Sequence, residues 1–205
     1  RGDPRDAFIS NQYDSLEALP SGGIIGTSSL RRQSQIQAKF PKLKILPLRG
    51  NLQTRLKKLD DKNYDAIILA AAGLIRMGLK NRIKLYIDPT LSIPAVGQGA
   101  LGIEILENNT ELLKLISPLN NDITAQCVLA ERTVSRSLAG SCTVPLGAHA
   151  TIKNNKIYMH GFVATPDGSH IIFSKTDGPS DNPEIVGKKL SRLLIAQGAK
   201  KILGL

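Results

Sequence analysis

Tryptophan is absent, and phenylalanine and tyrosine bring the aromatic share to only 4%. A protein that grips single-stranded nucleic acid by stacking its bases needs aromatic platforms, and this chain has few. No RNA-recognition, zinc-finger or homeodomain pattern is visible either, so no nucleic-acid partner is expected. Cysteine is scarce. Cys127 and Cys142 give neither a disulfide framework nor metal-ligand spacing; no metal is expected, and a reducing cytoplasm is the simpler home. Long apolar runs are missing as well. The longest, from Ala66 to Ile75, falls far short of the ~20 residues that span a bilayer, so it reads as a buried strand and no membrane role is expected. The start lacks the charged, apolar and small-residue order of a signal peptide. The chain opens on Arg1 without an initiator methionine, and the expectation is a fragment or a cleavage product.

What is abundant is positive charge. Lys and Arg number 27 against 17 Asp and Glu, a net charge of +10. Such a surplus favours an acidic partner: nucleic acid, an anionic membrane or a polycarboxylate ligand. At 205 residues and 41% hydrophobic content, the chain suits one large or two small domains, each with its own core.

The stretch from Ile24 to Gln33 organises the rest. Ile24 and Ile25 run into Gly26, the hydroxyl residues Thr27, Ser28 and Ser29 follow, and a helical pattern then starts with Arg31 and Arg32. This reads as strand, tight turn and helix N terminus. Unpaired N–H groups, the positive end of the helix dipole and the hydroxyls converge there on one point, a ready anion site. The forked guanidinium groups match carboxylate or phosphate oxygens in pairs.

Residues 1–23 are polar and turn-rich, with a short helix expected near Asp14–Pro20. Leu43–Leu48 reads as a second strand, demoted by Pro47 to an edge or a terminus. Arg49 and Gly50 follow it, and a helix runs from about Asn51 to Asp60 with Arg55 near its start. Ala66–Ala70 is a strand covered on both faces, and Gly73 opens a helix carrying Arg76. Three strand–helix pairs in succession predict a parallel α/β sheet. Arg31, Arg32, Arg49, Arg55 and Arg76 all fall just after strand carboxyl ends, which in an open α/β sheet line one crevice. Five such groups repel one another unless a polyanion sits among them.

Ala95–Ala100 is a glycine-rich hinge candidate without the lysine and serine of a phosphate loop. Leu101–Ile105 alternates like a strand that pairs elsewhere. From Asp122, taken as N-cap, Ile123, Cys127, Ala130, Val134 and Leu138 fall on one helix face, with Gly140 as terminator. Cys127 reads as a core cysteine, whereas Cys142 sits in a loop of small residues and is open to two readings, an approachable thiol or a buried small hydrophobe. Three antiparallel strands follow, near 148–152, 157–163 and 171–175, and a last helix with Ile185, Leu190, Leu193 and Leu194 inside completes a small α+β domain.

The 17 residues from Glu131 to Gly147 resemble the cofactor-attachment signature of the porphobilinogen deaminase, or hydroxymethylbilane synthase, family. Gly26–Gln33, Leu48–Asn51, Thr54–Leu56, Ala72–Leu74 with Arg76, and Pro94–Ala100 are similar to its other motifs, in the right order. The resemblance implies a monomeric cytoplasmic transferase of tetrapyrrole and heme biosynthesis. That enzyme joins four porphobilinogen units head to tail with loss of ammonia, giving hydroxymethylbilane. It implies a dipyrromethane cofactor in thioether linkage to Cys142, a soft thiolate suited to a methylene-pyrroleninium electrophile. By the same resemblance Thr27, Ser28, Ser29, Arg31, Arg32, Gly50 and Gln98 hold the cofactor, and Arg49, Arg55 and Arg76 act on substrate, Arg49 also assisting proton movement. The partners implied are porphobilinogen, the growing polypyrrole and the missing N-terminal domain of the same protein.

The implied fold is an α/β domain like a periplasmic-binding-protein lobe over residues 1–96, a hinge and returning segment over 97–118, and a cofactor-attachment domain over 119–205. The family's N-terminal domain, with its catalytic aspartate, has no counterpart ahead of Arg1, so the chain alone is expected to be inactive. The rival classes are a non-catalytic anion-binding module and a basic nucleic-acid binder.

Overall fold

The computed structural model describes residues 1–138 and 144–204. Its first unit is a five-stranded sheet in the order β3-β2-β4-β1-β5, built from β1 (Asp6–Ile9), β2 (Ile24–Gly26), β3 (Lys44–Leu46), β4 (Ala66–Ala70) and β5 (Leu85–Tyr86). Strand β2 pairs in parallel with β3 and β4, as the βα succession predicts. The sheet as a whole is mixed, because β1 runs antiparallel to both β4 and β5. The all-parallel expectation therefore fails at one strand. Asp-Ala-Phe-Ile is only four residues long, opens on a charged side chain and lies in polar surroundings, so its pattern did not announce a strand. All four residues are nevertheless buried. The segment at 14–20 forms turns and bends, not the expected helix.

Both faces of this sheet are covered. On one, Ala7, Ile9, Ile67 and Leu69 pack with Leu48, with Leu56 and Leu59 of α2 (Leu52–Asp60) and with Leu74 of α3 (Ala71–Arg76). On the other, Phe8, Ile25, Ala66 and Ile68 meet Leu16, Leu19, Leu43 and Ile36 of α1 (Leu30–Lys39). Helix α1 buries Arg31, Ser34 and Gln35 beside Ile36, so much of its inner face is polar and satisfied by hydrogen bonds rather than by apolar packing.

Residues 101–106 form no strand: Leu101, Ile103 and Leu106 are 75%, 59% and 76% exposed, with no described strand beside them. After α4 (Thr110–Ile116) comes α5 (Asp122–Ser137). Its N-cap is Asn121, whose side chain accepts from the Thr124 N–H, and not Asp122. Cys127, Ala130, Val134 and Leu138 are buried as expected, while Ile123 is 61% exposed, a turn ahead of the packed face. Gly140, the expected terminator, lies outside the described residues.

The second sheet has the order β6-β7-β8, from β6 (Leu146–Lys153), β7 (Lys156–Ala164) and β8 (Ile171–Pro179), all antiparallel. Asn154 and Asn155, both at positive φ, make the tight first turn. Helix α6 (Pro183–Ala196) lies across one face with α5, burying Val186, Leu190 and Leu194, and α7 (Ala199–Leu203) ends the description. Ile185 and Leu193 were expected inside; they are turned outward, because Val186, Leu190 and Leu194 occupy the packed stripe.

Candidate functional site

The two sheets are bolted together by buried ionic groups. Asp6, fully buried at the start of β1, accepts from both terminal nitrogens of Arg31 at 2.9 Å, from Arg32 Nε at 2.9 Å, from Ser92 Oγ at 2.8 Å and from Gln98 Nε2 at 3.0 Å. Burial pushes the Asp6 carboxyl up, but the two guanidinium charges more than reverse it and hold the group far below the usual carboxylate range. Burial lowers the Arg32 pKa, and Asp6 opposes this. Arg31 also donates to the Ile93 carbonyl at 2.5 Å, so α1 is clamped to the chain that leads into the second unit. A second carboxylate serves that unit. Glu131 of α5, also fully buried, accepts from Arg1 Nη1 at 2.6 Å and Nη2 at 3.0 Å, from the Gly97 N–H at 2.7 Å and from the Ala150 N–H at 2.8 Å. Burial raises its pKa, and Arg1 works against that rise.

Between the units opens a cleft of ≈ 710 Å³. Thr27, Ser28 and Ser29 line it where β2 turns into α1, together with Arg31, Arg32, Arg55, Leu48 and Ile68. Ala95 and Val96 come from the connecting chain, Arg132, Ser135 and Arg136 from α5, and Val144 and Leu146 from the approach to β6. Among the described residues, five arginines and no acidic residue line the space, and the one carboxylate paired to them is Asp6 behind the wall. Ser29, the N-cap of α1, makes no side-chain cap bond and lines the cleft. Ser28 Oγ exchanges bonds of 3.0 Å with the carbonyl and N–H of Leu48, and Thr27 Oγ1 accepts from the Ser29 N–H at 3.2 Å, so the turn is fixed in shape.

Of the residues singled out in the sequence, Thr27, Ser28, Ser29, Arg31, Arg32 and Arg55 are brought together on this wall. Arg31 is 5% exposed and spent largely on Asp6 and Ile93. Arg49 and Arg76 are exposed and lie outside the lining. Gly50 is also outside it; its φ of +120° needs glycine, and its carbonyl accepts from Arg55 Nε at 2.8 Å, which orients that side chain. Gln98 is an internal tie, donating to the Pro4 carbonyl at 2.6 Å and to Asp6. Cys142 lies outside the described residues, although Arg136 before it and Val144 after it both line the cleft. Among the described residues no group of three or more His, Cys, Asp or Glu could hold a metal, and no helix is long and apolar enough to cross a membrane.

Two residues of the site were missed. Arg132 and Arg136 face the cleft one helical turn apart, with no ion-pair partner among the described residues. Their i, i+4 spacing just ahead of the cysteine loop was the available signal, and the strand-end rule that found the others does not reach a helix of the second unit.

A mixed α/β unit faces an antiparallel sheet across an arginine-lined cleft, the class of concave cationic surface that attracts anions. Comparison with known proteins narrows the class. Residues 1–114 match the family model described as porphobilinogen deaminase, dipyromethane cofactor binding domain, and residues 125–196 match that for the porphobilinogen deaminase C-terminal domain. The chain belongs to the porphobilinogen deaminase family. It is 59% identical over 203 residues to the porphobilinogen deaminase of Methylobacillus flagellatus, and 55% identical to those of Thiobacillus denitrificans and Nitrosomonas europaea. Each match takes in 99% of this chain and 66% of the relative, so the chain spans just under two thirds of their length.

Proposed function

We propose that this chain carries the cofactor-holding part of a cytoplasmic, monomeric hydroxymethylbilane synthase, which condenses four porphobilinogen molecules head to tail with loss of ammonia. The observation that carries the reading is the wall of five guanidinium groups and three hydroxyl residues around one acid-free cleft. Each pyrrole of a dipyrromethane brings an acetate and a propionate, so the group needs several cations and a concave space. The ≈ 710 Å³ of the cleft lies within the ~300–1,000 Å³ usual for small-molecule sites. The residues present fit the group. Arg55, Arg132 and Arg136 have no carboxylate partner among the described residues, and Arg32 keeps donors beyond its Asp6 contact.

When bound through Cys142, the dipyrromethane supplies the free pyrrole carbon to which the next unit is joined. The chain's own residues bind and orient. Ser29 and the first N–H groups of α1 receive a carboxylate at the positive end of the helix dipole. Arg32, Arg55, Arg132 and Arg136 take the remaining carboxylates by paired hydrogen bonds, while Arg31, Gln98 and Gly50 shape the wall from behind. Arg49 and Arg76, on the outer side, meet the carboxylates of incoming substrate, and Arg49 assists proton movement. We read residues 1–96 as a lobe of periplasmic-binding-protein type, 97–118 as hinge and docking segment, and 119–205 as the cofactor-attachment unit. The exposed leucines and isoleucines between 101 and 123 are read as the seat of the part of the relatives that this chain does not span.

Mass spectrometry of the denatured, proteolysed protein tests the reading. A dipyrrole adduct on the Cys142 peptide supports it, and an adduct on any other residue contradicts it. Steady turnover of porphobilinogen by the 205-residue chain alone would refute the need for the remaining length.

A further inference from the structure

A second hollow, of ≈ 320 Å³, shares no lining residue with the arginine cleft. It opens where the two units meet away from that cleft. The second sheet gives it Phe162, Ile171 and Phe173, which alternate with the helix-facing Val163 and Ile172 and so lie on the other face of β7 and β8. The chain that follows β5 gives Leu91 and Ile93, and α1 gives Lys39. The walls are firmly held. The Ile93 N–H donates to Gln35 Oε1 at 2.7 Å and its carbonyl accepts from Arg31, while Gly168 of the β7–β8 turn sits so close to the Ser34 carbonyl and Ala38 nitrogen that a Cβ there would collide.

The chemistry of an occupant follows from what this lining leaves unsatisfied. Of the phenylalanines and tyrosines only Tyr158 and Phe173 are exposed, and Phe173, at 48%, lines the hollow beside Ile171, at 37%. Bare apolar area in a concave, preformed wall marks an organic ligand. The neutral polar groups of the wall are already matched. Gln35 bonds the backbone of Ile93 and Arg31, and Thr90 Oγ1 donates to Asp88 at 2.6 Å. Asp88 itself lies outside the lining and also accepts from the Thr90 N–H. Lys39 is the exception. It is the one charged residue of the lining, exposed, and without an ion-pair partner among the described residues. Its ammonium carries three donors for an anion. The hollow has under half the volume of the cleft, and one cation does not serve a tetracarboxylate, so its occupant is not the ligand of the cleft.

We propose that this hollow binds an aromatic monocarboxylate, with the ring system against Phe173, Ile171 and Leu91 and the carboxylate on Lys39 Nζ. The site is additional to the cleft and does not depend on how the cleft is read.

The probe is 2-naphthoate, titrated into the isotope-labelled 205-residue chain while backbone amide NMR signals are followed. Saturable one-to-one shifts at Lys39, Leu91, Ile171 and Phe173 are expected, and a synthetic dipyrromethane tetracarboxylate should not displace the probe. The uncharged 2-naphthylmethanol should bind about threefold more weakly, and Lys39→Gln should erase that difference. Phe173→Ser should weaken binding of both by about tenfold. No saturable shift at millimolar naphthoate, or shifts gathered instead around Arg55, Arg132 and Arg136 or over residues 101–123, would overturn the proposal. So would equal binding of acid and alcohol to the unaltered chain, or undiminished binding in both variants. The comparison of acid with alcohol needs no variant, so a substitution that unfolds the chain leaves the test intact. A cleft that fails to take its polycarboxylate would leave the naphthoate result unchanged, so the two readings fail separately.

Discussion

Replacing Asp6 with asparagine removes the one negative charge held between two guanidinium groups in the interior. The wild-type carboxylate on β1 receives both Arg31 nitrogens, Arg32, Ser92 and Gln98, five donors spread over α1 and the connecting chain. Asparagine keeps the volume but offers one acceptor oxygen, and its amide turns two further donors toward donors. Arg31, 5% exposed, is then a buried cation without a counter-charge. Breaking a buried pair on one side typically costs ~3–5 kcal/mol, which for a chain near this size is roughly 6–20 °C in Tm. The pH dependence has a definite sign. The folded pKa of Asp6 is depressed, so its contribution is complete above the unfolded value near ~4 and is lost as pH falls toward the folded one. Thermal melts followed by circular dichroism from pH 7 to pH 3 should show a large gap between wild type and Asp6→Asn that narrows in acid. A gap under about 1 kcal/mol at neutral pH, or one that stays constant down to pH 3, would show that the pair is not the clamp described here.

Gly147→Ala should destabilise by about 1–3 kcal/mol in urea, since a Cβ there would meet Phe162 Cε1 at 2.7 Å and the carbonyls of Ile93 and Pro94 at 3.0 Å. Asn51→Ala removes the cap that accepts from the Thr54 N–H at 2.8 Å, and the same unfolding curves should register a loss of about 1 kcal/mol. Arg132→Ala and Arg136→Ala should leave Tm nearly unchanged, as neither side chain is ion-paired among the described residues. Each should weaken binding of a pyrrole polycarboxylate by about 10- to 100-fold in calorimetry.

The parallel core β2, β3 and β4 and the antiparallel β6–β8 were legible because periodicity and turn chemistry agreed there. Isoleucine-bearing strands meet Gly26, Asn154 and Asn155 at the places where the chain turns. Strand β1 was hidden because its opening residue is an aspartate that is stable inside only with Arg31 and Arg32 beside it, a partnership made across 25 residues of sequence. The same contact explains why Arg31 reads from sequence as a ligand residue yet sits largely behind the cleft. Helix α1 carries the same lesson, since its buried residues are Arg31, Ser34 and Gln35 beside Ile36. Arg31, Arg32 and Arg55 at the cleft follow from a rule about strand ends, whereas Arg49 and Arg76 obey the same rule and lie outside the lining. Those of α5 depend on how two units meet, which no local pattern encodes.

The central claim is that the guanidinium groups of both units converge on one polycarboxylate. Calorimetric titration of the chain with a synthetic dipyrromethane tetracarboxylate tests it most directly. Binding in a one-to-one ratio, weakened by added salt and abolished when Arg55 and Arg132 are both changed to alanine, is the predicted result. No measurable binding, or binding indifferent to both salt and these two arginines, would contradict the account.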